Sequence, residues 1–256
     1  MNLEDFKDVK AIYFDLDDTL CAYWDASKLA LRASFQELGP SHLTPEEMVA
    51  HWAETYKEFA PNLRALGWYE RYLESGEPTR TEHMRRALLR MGADDSALAS
   101  QISERYRQLR NANLKLFPEA EDVLTKLFEI YPLGLMTNGP ADVQRQEIAT
   151  LKIEKYLSNI LIEGELGVGK PHESVFARAS QLVGIPPENL LFVGNSYHHD
   201  IAPAISFGWK TMWIRRSSDV PPSAGGRGAP EELPPSAAKP HAVISDLREV
   251  IALLGL

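Results

Sequence analysis

The hydrophobic positions of this chain fall into two regimes. From Pro118 onward, short unbroken apolar runs alternate with amphipathic stretches. The runs are Leu133-Gly134-Leu135-Met136, Ile160-Leu161-Ile162, Leu190-Leu191-Phe192-Val193 and Thr211-Met212-Trp213-Ile214. Runs of this length without polar alternation predict strands buried on both faces of a parallel sheet. The stretches between them predict helices over 118–130, 141–151, 172–183 and 200–207. Helix–strand alternation of this kind covers a parallel sheet with helices on both faces. One further run, Ile12-Tyr13-Phe14, stands far upstream and predicts a first strand over 11–16.

Between about 22 and 112 no strand-like run occurs, and the pattern is helical throughout. Asp25 is a candidate cap for a helix ending at Gly39. Thr44-Pro45-Glu46-Glu47 forms a capping box with Pro at the first helical position, opening a helix to about Ala60. Further helices are predicted from about Thr79 to Met91, closed by Gly92, and from about Ser96 to Asn111. The expected fold class is therefore α/β. A Rossmann-like parallel-sheet core, 1–21 plus 112–256, carries a helical domain, 22–111, inserted after its first strand. Residues 217–240, rich in Pro, Gly, Ala and Ser, read as a flexible surface loop within the core, before a short strand and closing helix over 241–254.

Composition narrows the function classes. The chain has 256 residues, 44% hydrophobic and 25% charged, which is ordinary for a globular protein with a proper core. A net charge of −9 argues against nucleic acid or an anionic membrane as a partner, and requires a local cation wherever an anionic substrate is held. The one cysteine, Cys21, excludes an intramolecular disulfide and a cysteine-based zinc site, and suits a cytoplasmic protein. Met1–Phe6 has no apolar leader core, and no apolar run is long enough to span a bilayer.

Chemistry concentrates at the predicted strand ends. Asp15 and Asp17 follow the first strand directly. In open α/β sheets that edge is where ligands bind. Residues two apart in extended chain point the same way, and two such carboxylates repel unless a cation or shared proton intervenes. A hard divalent cation such as Mg²⁺, which prefers oxygen ligands, meets that need. Thr137-Asn138-Gly139 follows the second strand, Gly169-Lys170-Pro171 precedes a helix, and Gly194-Asn195-Ser196-Tyr197-His198-His199-Asp200 follows Leu190–Val193. Taken singly, these have bland explanations: an Asp-rich turn, a Thr-Asn-Gly turn, a solvated lysine, an Asp helix cap. Together, on one edge of one sheet, they make a site.

The order and content of these segments resemble the motifs of the haloacid dehalogenase superfamily of phosphohydrolases, along the whole chain. The inserted helices resemble that superfamily's helical cap, placed after the first motif. The resemblance implies that Asp15 is a nucleophile forming an aspartyl-phosphate and Asp17 the general acid and base. It implies that Thr137, with Asn138 and Gly139 behind it, holds phosphoryl oxygens, and that Lys170 neutralises charge around nucleophile and phosphate. Mg²⁺ would be held by Asp15, the Asp17 carbonyl, Asn195 and Asp200. The fourth motif usually begins Gly-Asp, and here it reads Gly194-Asn195, so one anionic ligand is missing. Dehalogenases of the superfamily lack an acid/base at the position of Asp17 and resemble the chain less. The expectation is a Mg²⁺-dependent phosphatase acting on a small phosphorylated metabolite, as a monomer or homodimer. A phosphomutase, or a non-catalytic binding protein weakened by Asn195, is the alternative. His198 and His199 read as exposed helix-start residues. Tyr23 and Trp24 follow the first motif closely and are candidates either to line the entrance of the site or to pack the helical domain, whereas Trp52, Arg64, Trp68, Tyr69 and Arg71 read by default as core or surface.

Overall fold

The computed structural model of the chain describes residues 3–222, 233 and 236–256. Six strands form one parallel sheet: β1 (Ala11–Phe14), β2 (Leu133–Thr137), β3 (Asn159–Ile162), β4 (Leu190–Gly194), β5 (Lys210–Ile214) and β6 (Ala242–Ile244). Their order is β3-β2-β1-β4-β5-β6. The register aligns Ile12 with Leu133 on one side and with Leu191 on the other. The apolar runs are continuous because both faces are covered. On β1, Ile12 and Phe14 enter one core with Leu191 and Val193, whereas Ala11 and Tyr13 enter another with Leu190 and Phe192. Each fully buried side chain of this size contributes about 1.5–3 kcal/mol.

Five helices lie between β1 and β2: α1 (Tyr23–Leu38), α2 (Pro45–Phe59), α3 (Tyr69–Glu74), α4 (Gly76–Arg90) and α5 (Ser96–Asn113). They share a hydrophobic core of their own, in which Leu31, Phe35, Trp52, Met84, Leu88 and Ile102 meet. The Thr44 capping box opens α2 as expected, with Thr44 and Glu47 each bonding the other's backbone N–H. The start of α1 differs from expectation. It begins two residues before Asp25, which lies in the first turn and pairs with Lys28, while Asp18 accepts the Trp24 N–H. The short α3 had no periodic signal. It ends at Ser75, whose hydroxyl caps α4 by accepting the Glu77 N–H, so α4 starts at Gly76 rather than Thr79.

The remaining helices are α6 (Ala120–Phe128), α7 (Ala141–Leu151), α8 (Glu163–Leu166), α9 (Glu173–Val183), α10 (Ala202–Ser206) and α11 (Arg248–Leu253). Where one helix was expected over 200–207, a π-helical turn, Tyr197–Ile201, leads into α10. The helical unit docks on the sheet unit through polar contacts around α7 and α8. Ser75 Oγ and the Gly76 N–H both donate to Asp142, at 2.8 and 2.9 Å, and Tyr69 donates its hydroxyl to Glu163 at 2.6 Å. Of the segment 217–240, residues 223–232, 234 and 235 lie outside the described residues. Its first part turns back toward β4, with the Asp219 N–H donating to the Arg216 carbonyl. Among the described residues no helix is long and apolar enough to cross a membrane.

Candidate active site

The strand order reverses between β1 and β4, and the crevice at such a switch point is where open α/β sheets bind ligands. Asp15 leaves the end of β1 there, with its N–H donating to the Val193 carbonyl at 3.0 Å. It is nearly buried, at 7% exposure. Lys170 Nζ donates to Asp15 Oδ1 at 2.7 Å and to Asp200 Oδ1 at 2.6 Å, joining three of the expected residues in one contact chain. Burial opposes the Lys170 charge, but Asp15 and Asp200 outweigh it and hold the ammonium above its ordinary range. Burial also pushes Asp15 up, against the pull of Lys170 and with the push of Asp200, to about 6.

Lys170 is set by Asn138. The Asn138 side chain clamps the Lys170 backbone, accepting its N–H at 2.8 Å and donating to its carbonyl at 2.7 Å. Thr137 and Gly139 are also engaged: Thr137 Oγ1 donates to Gln144 Oε1 at 2.7 Å and the Gly139 N–H donates to Glu163 at 3.0 Å. Gly139 sits at φ 141°, a conformation that a side chain rarely adopts. Asp200 spends its second oxygen on the Ser196 N–H, at 2.9 Å. Gly194 makes room for it, since a Cβ there would collide with Asp200 Oδ2.

Asp17 faces a group that the sequence reading missed. Gln144 Nε2 donates to Asp17 Oδ2 at 3.3 Å and to Glu147 Oε2 at 3.1 Å. Glu147 is wholly buried, with Arg110 of α5 3.3 Å from its other oxygen. Burial, then the charges of Glu147, Asp15 and Asp18, hold Asp17 well above the usual carboxylate range. A carboxyl raised in this way holds its proton more tightly than a free one, which favours use as an acid. The signal available in sequence was weak: Gln144 and Glu147 share one face of α7, three residues apart.

The donor set for a cation consists of oxygens only. Thr19 Oγ1 lies 3.1 Å from Asp15 Oδ2 and 3.3 Å from Asn195 Oδ1, so those two oxygens approach one point. The single hydroxyl proton there can satisfy only one of them. Asn195 is turned this way because Nδ2 donates to Asp219 at 2.8 Å. Among the described residues no three His, Cys, Asp or Glu side chains group as a metal site. One carboxylate and one amide oxygen, completed by water, still suit Mg²⁺, which dehydrates reluctantly. Asp200, tied to Lys170 and Ser196, is placed to hold the lysine.

Above the switch point a cavity of about 610 Å³ runs from Asp15, Asp17, Lys170 and Asn195 into the helical unit. Tyr23 and Trp24, candidates for the entrance, line it; so do Trp52, Arg64 and Tyr69, given core or surface roles by default, whereas Trp68 and Arg71 do not. His198 and His199 are exposed, as expected.

A model of haloacid dehalogenase-like hydrolases matches residues 12–214. The chain belongs to the haloacid dehalogenase-like hydrolase family. The N-acylneuraminate-9-phosphatase of Rattus norvegicus is 28% identical over 96% of this chain and 94% of its own length. The glyceraldehyde 3-phosphate phosphatase of Methanopyrus kandleri is 30% identical over 81% of this chain and 84% of its own. These relatives are phosphatases, and the chain is a phosphoric monoester hydrolase of this family. The fold matches that of the HAD-hydrolase YfnB of Bacillus subtilis bound to magnesium, with a TM-score of 0.71, 20% identity and coverage of 97% and 99% of the two chains.

Proposed function

We propose that this enzyme is a Mg²⁺-dependent phosphatase that hydrolyses a small phosphomonoester through an aspartyl-phosphate on Asp15. The observation that carries the reading is Asp15 itself: a nearly buried carboxylate at the switch point, tied to Lys170 and Thr19 and open to the cavity. The Asp15 oxygen bonds to phosphorus as the ester oxygen departs, and Asp17 gives that oxygen its proton. The Asp17 carboxylate then takes a proton from water, whose oxygen attacks phosphorus and frees Asp15. Splitting the transfer this way replaces one hard step by two easier ones. Lys170 opposes the charge on the phosphoryl oxygens, joined by the Thr137 hydroxyl once it turns from Gln144 to the substrate.

Gln144 aims Asp17, and Asn138 aims Lys170. Asp15, the Asp17 carbonyl and Asn195, with Asp200 through water, would hold Mg²⁺; the ion would supply positive charge that opposes the charge developing in phosphoryl transfer. The Bacillus subtilis hydrolase of the same fold binds magnesium, which supports a Mg²⁺ requirement here but not any particular ligand. Residues 22–111 act as a cap that keeps water from the site until hydrolysis is due. The test is a panel of phosphomonoesters assayed for products with and without Mg²⁺. Inorganic phosphate released only with Mg²⁺ supports the reading. An isomer that retains the phosphoryl group would make the protein a mutase, and no turnover of any member would make it a binding protein.

A further inference from the structure

The cavity is far larger than a phosphoryl group needs, and its upper part is walled by aromatic rings such as Trp24, Trp52, Tyr56 and Tyr106. Three arginines also line it, and they differ in what answers their charge. Arg110 is buried against Glu147 and Asn111. Arg64, exposed, lies 3.5 Å over the Tyr69 ring. Arg80, on α4, is half-buried; its Nε–H donates to the neutral Ser103 hydroxyl at 3.1 Å, and among the described residues it forms no ion pair with a carboxylate. The acids that attract it are taken up elsewhere: Glu77 is exposed, and Glu104 is gripped by both arms of Arg107. Burial and the nearby Arg110 act against the Arg80 charge, yet a guanidinium does not give up its proton. Arg80 Nη1 lies 3.7 Å from where a Cβ on Gly76 would stand, a point that also abuts Pro140 and Val143. The guanidinium therefore hangs over the start of α7, beside the Thr137–Gly139 turn.

A half-buried cation that lines a substrate cavity and lacks an internal counter-ion is complementary to an anion on the ligand. The phosphoryl group already has Lys170. With Nε committed to Ser103, the two Nη groups remain as a fork that fits one carboxylate. A carboxylate carries the single charge that Arg80 leaves unanswered, whereas a second phosphate would bring nearly two. We propose that Arg80 binds a carboxylate that the substrate carries in addition to its phosphoryl group, so that the preferred substrates are phosphorylated acids. This inference rests on the phosphatase reading and names the substrate class of the same site.

The experiment compares kcat/KM for 6-phosphogluconate and glucitol 6-phosphate, which differ only in the terminal carboxylate, in the wild type, Arg80→Gln and Arg80→Lys. A fructose bisphosphate serves as the second-phosphate arm, and melting temperatures establish that each variant is folded. The wild type is expected to favour the acid by ~10–100-fold, the range of a charge-assisted hydrogen bond. Arg80→Gln should raise KM for the acid ~10–100-fold, and much less for glucitol 6-phosphate, so that the preference is lost, and Arg80→Lys should restore part of it. Equal use of both compounds by the wild type overturns the proposal, as does an equal loss on both in Arg80→Gln. A preference for the bisphosphate over the acid overturns the choice of carboxylate. Failure to release phosphate from any of the three, or from a generic aryl phosphate, would instead sink the phosphatase reading and this proposal with it.

Discussion

Asn195→Asp tests how this site manages with an amide where its family usually has a carboxylate. In the structure Asn195 has two faces: Oδ1 accepts from Thr19 at 3.3 Å and Nδ2 donates to Asp219 at 2.8 Å. The substitution turns the second contact into two carboxylate oxygens facing each other. Two unit charges 2.8 Å apart repel by roughly 6 kcal/mol at an effective dielectric near 20. Asn195 is only half-buried, so solvent, side-chain rotation and proton uptake relieve most of that. We expect the metal-free variant to lose about 1–3 kcal/mol in urea unfolding. Mg²⁺ should return more stability to it than to the wild type, because a carboxylate is the stronger ligand for a hard cation. Adding Asp219→Asn removes the repulsion, so the double variant should recover metal-free stability and reach half-saturation at lower Mg²⁺ than the wild type. Unchanged metal-free stability in Asn195→Asp, with an unmoved Mg²⁺ midpoint in the double variant, would refute the placement of Asn195 between Asp219 and the cation.

Other perturbations follow from the same contacts. Asp17→Asn should lower kcat by ~10²–10⁴-fold with the fold intact, and a loss below about tenfold in steady-state assays would remove Asp17 as acid and base. Lys170→Met leaves Asp15 and Asp200 buried without their shared cation; chemical denaturation should show a loss of about 3–5 kcal/mol at neutral pH, and a stability equal to wild type would contradict it. His83, buried against Trp52 and bonded to its carbonyl, is held down by burial at about 4, against an ordinary 6.5. Between those values the unfolded chain binds the proton and the folded chain does not, so stability falls as pH drops. The loss from pH 7 to pH 5 should be ~2 kcal/mol by urea unfolding, and His83→Gln should lack that component.

The strands were legible because a parallel sheet buried on both faces writes itself as unbroken apolar runs, as in Leu190–Val193. Their polar successors were legible as a group for the same reason: each follows or precedes an element whose end could be read. Boundaries set by tertiary contact were not. Nothing periodic marks α3, which is held by Tyr69 on Glu163 and by Ser75 on Asp142. The supporting residues of the site were hidden for a related reason. Asp219 stands at the edge of a Pro- and Gly-rich segment read as an inert loop, yet it orients Asn195 from 24 residues away. Arg80 and Arg110 carry no signal in the sequence, and only the docking of α4 and α5 over α7 brings them to the cavity.

The covalent step on Asp15 is the centre of the account, and acid quenching during turnover of a ³²P-labelled phosphomonoester tests it directly. The wild type should carry label that maps, after digestion, to the peptide containing Asp15, and Asp15→Asn should carry none and release no phosphate. Label on another residue, or phosphate release by Asp15→Asn at the wild-type rate, would contradict the account.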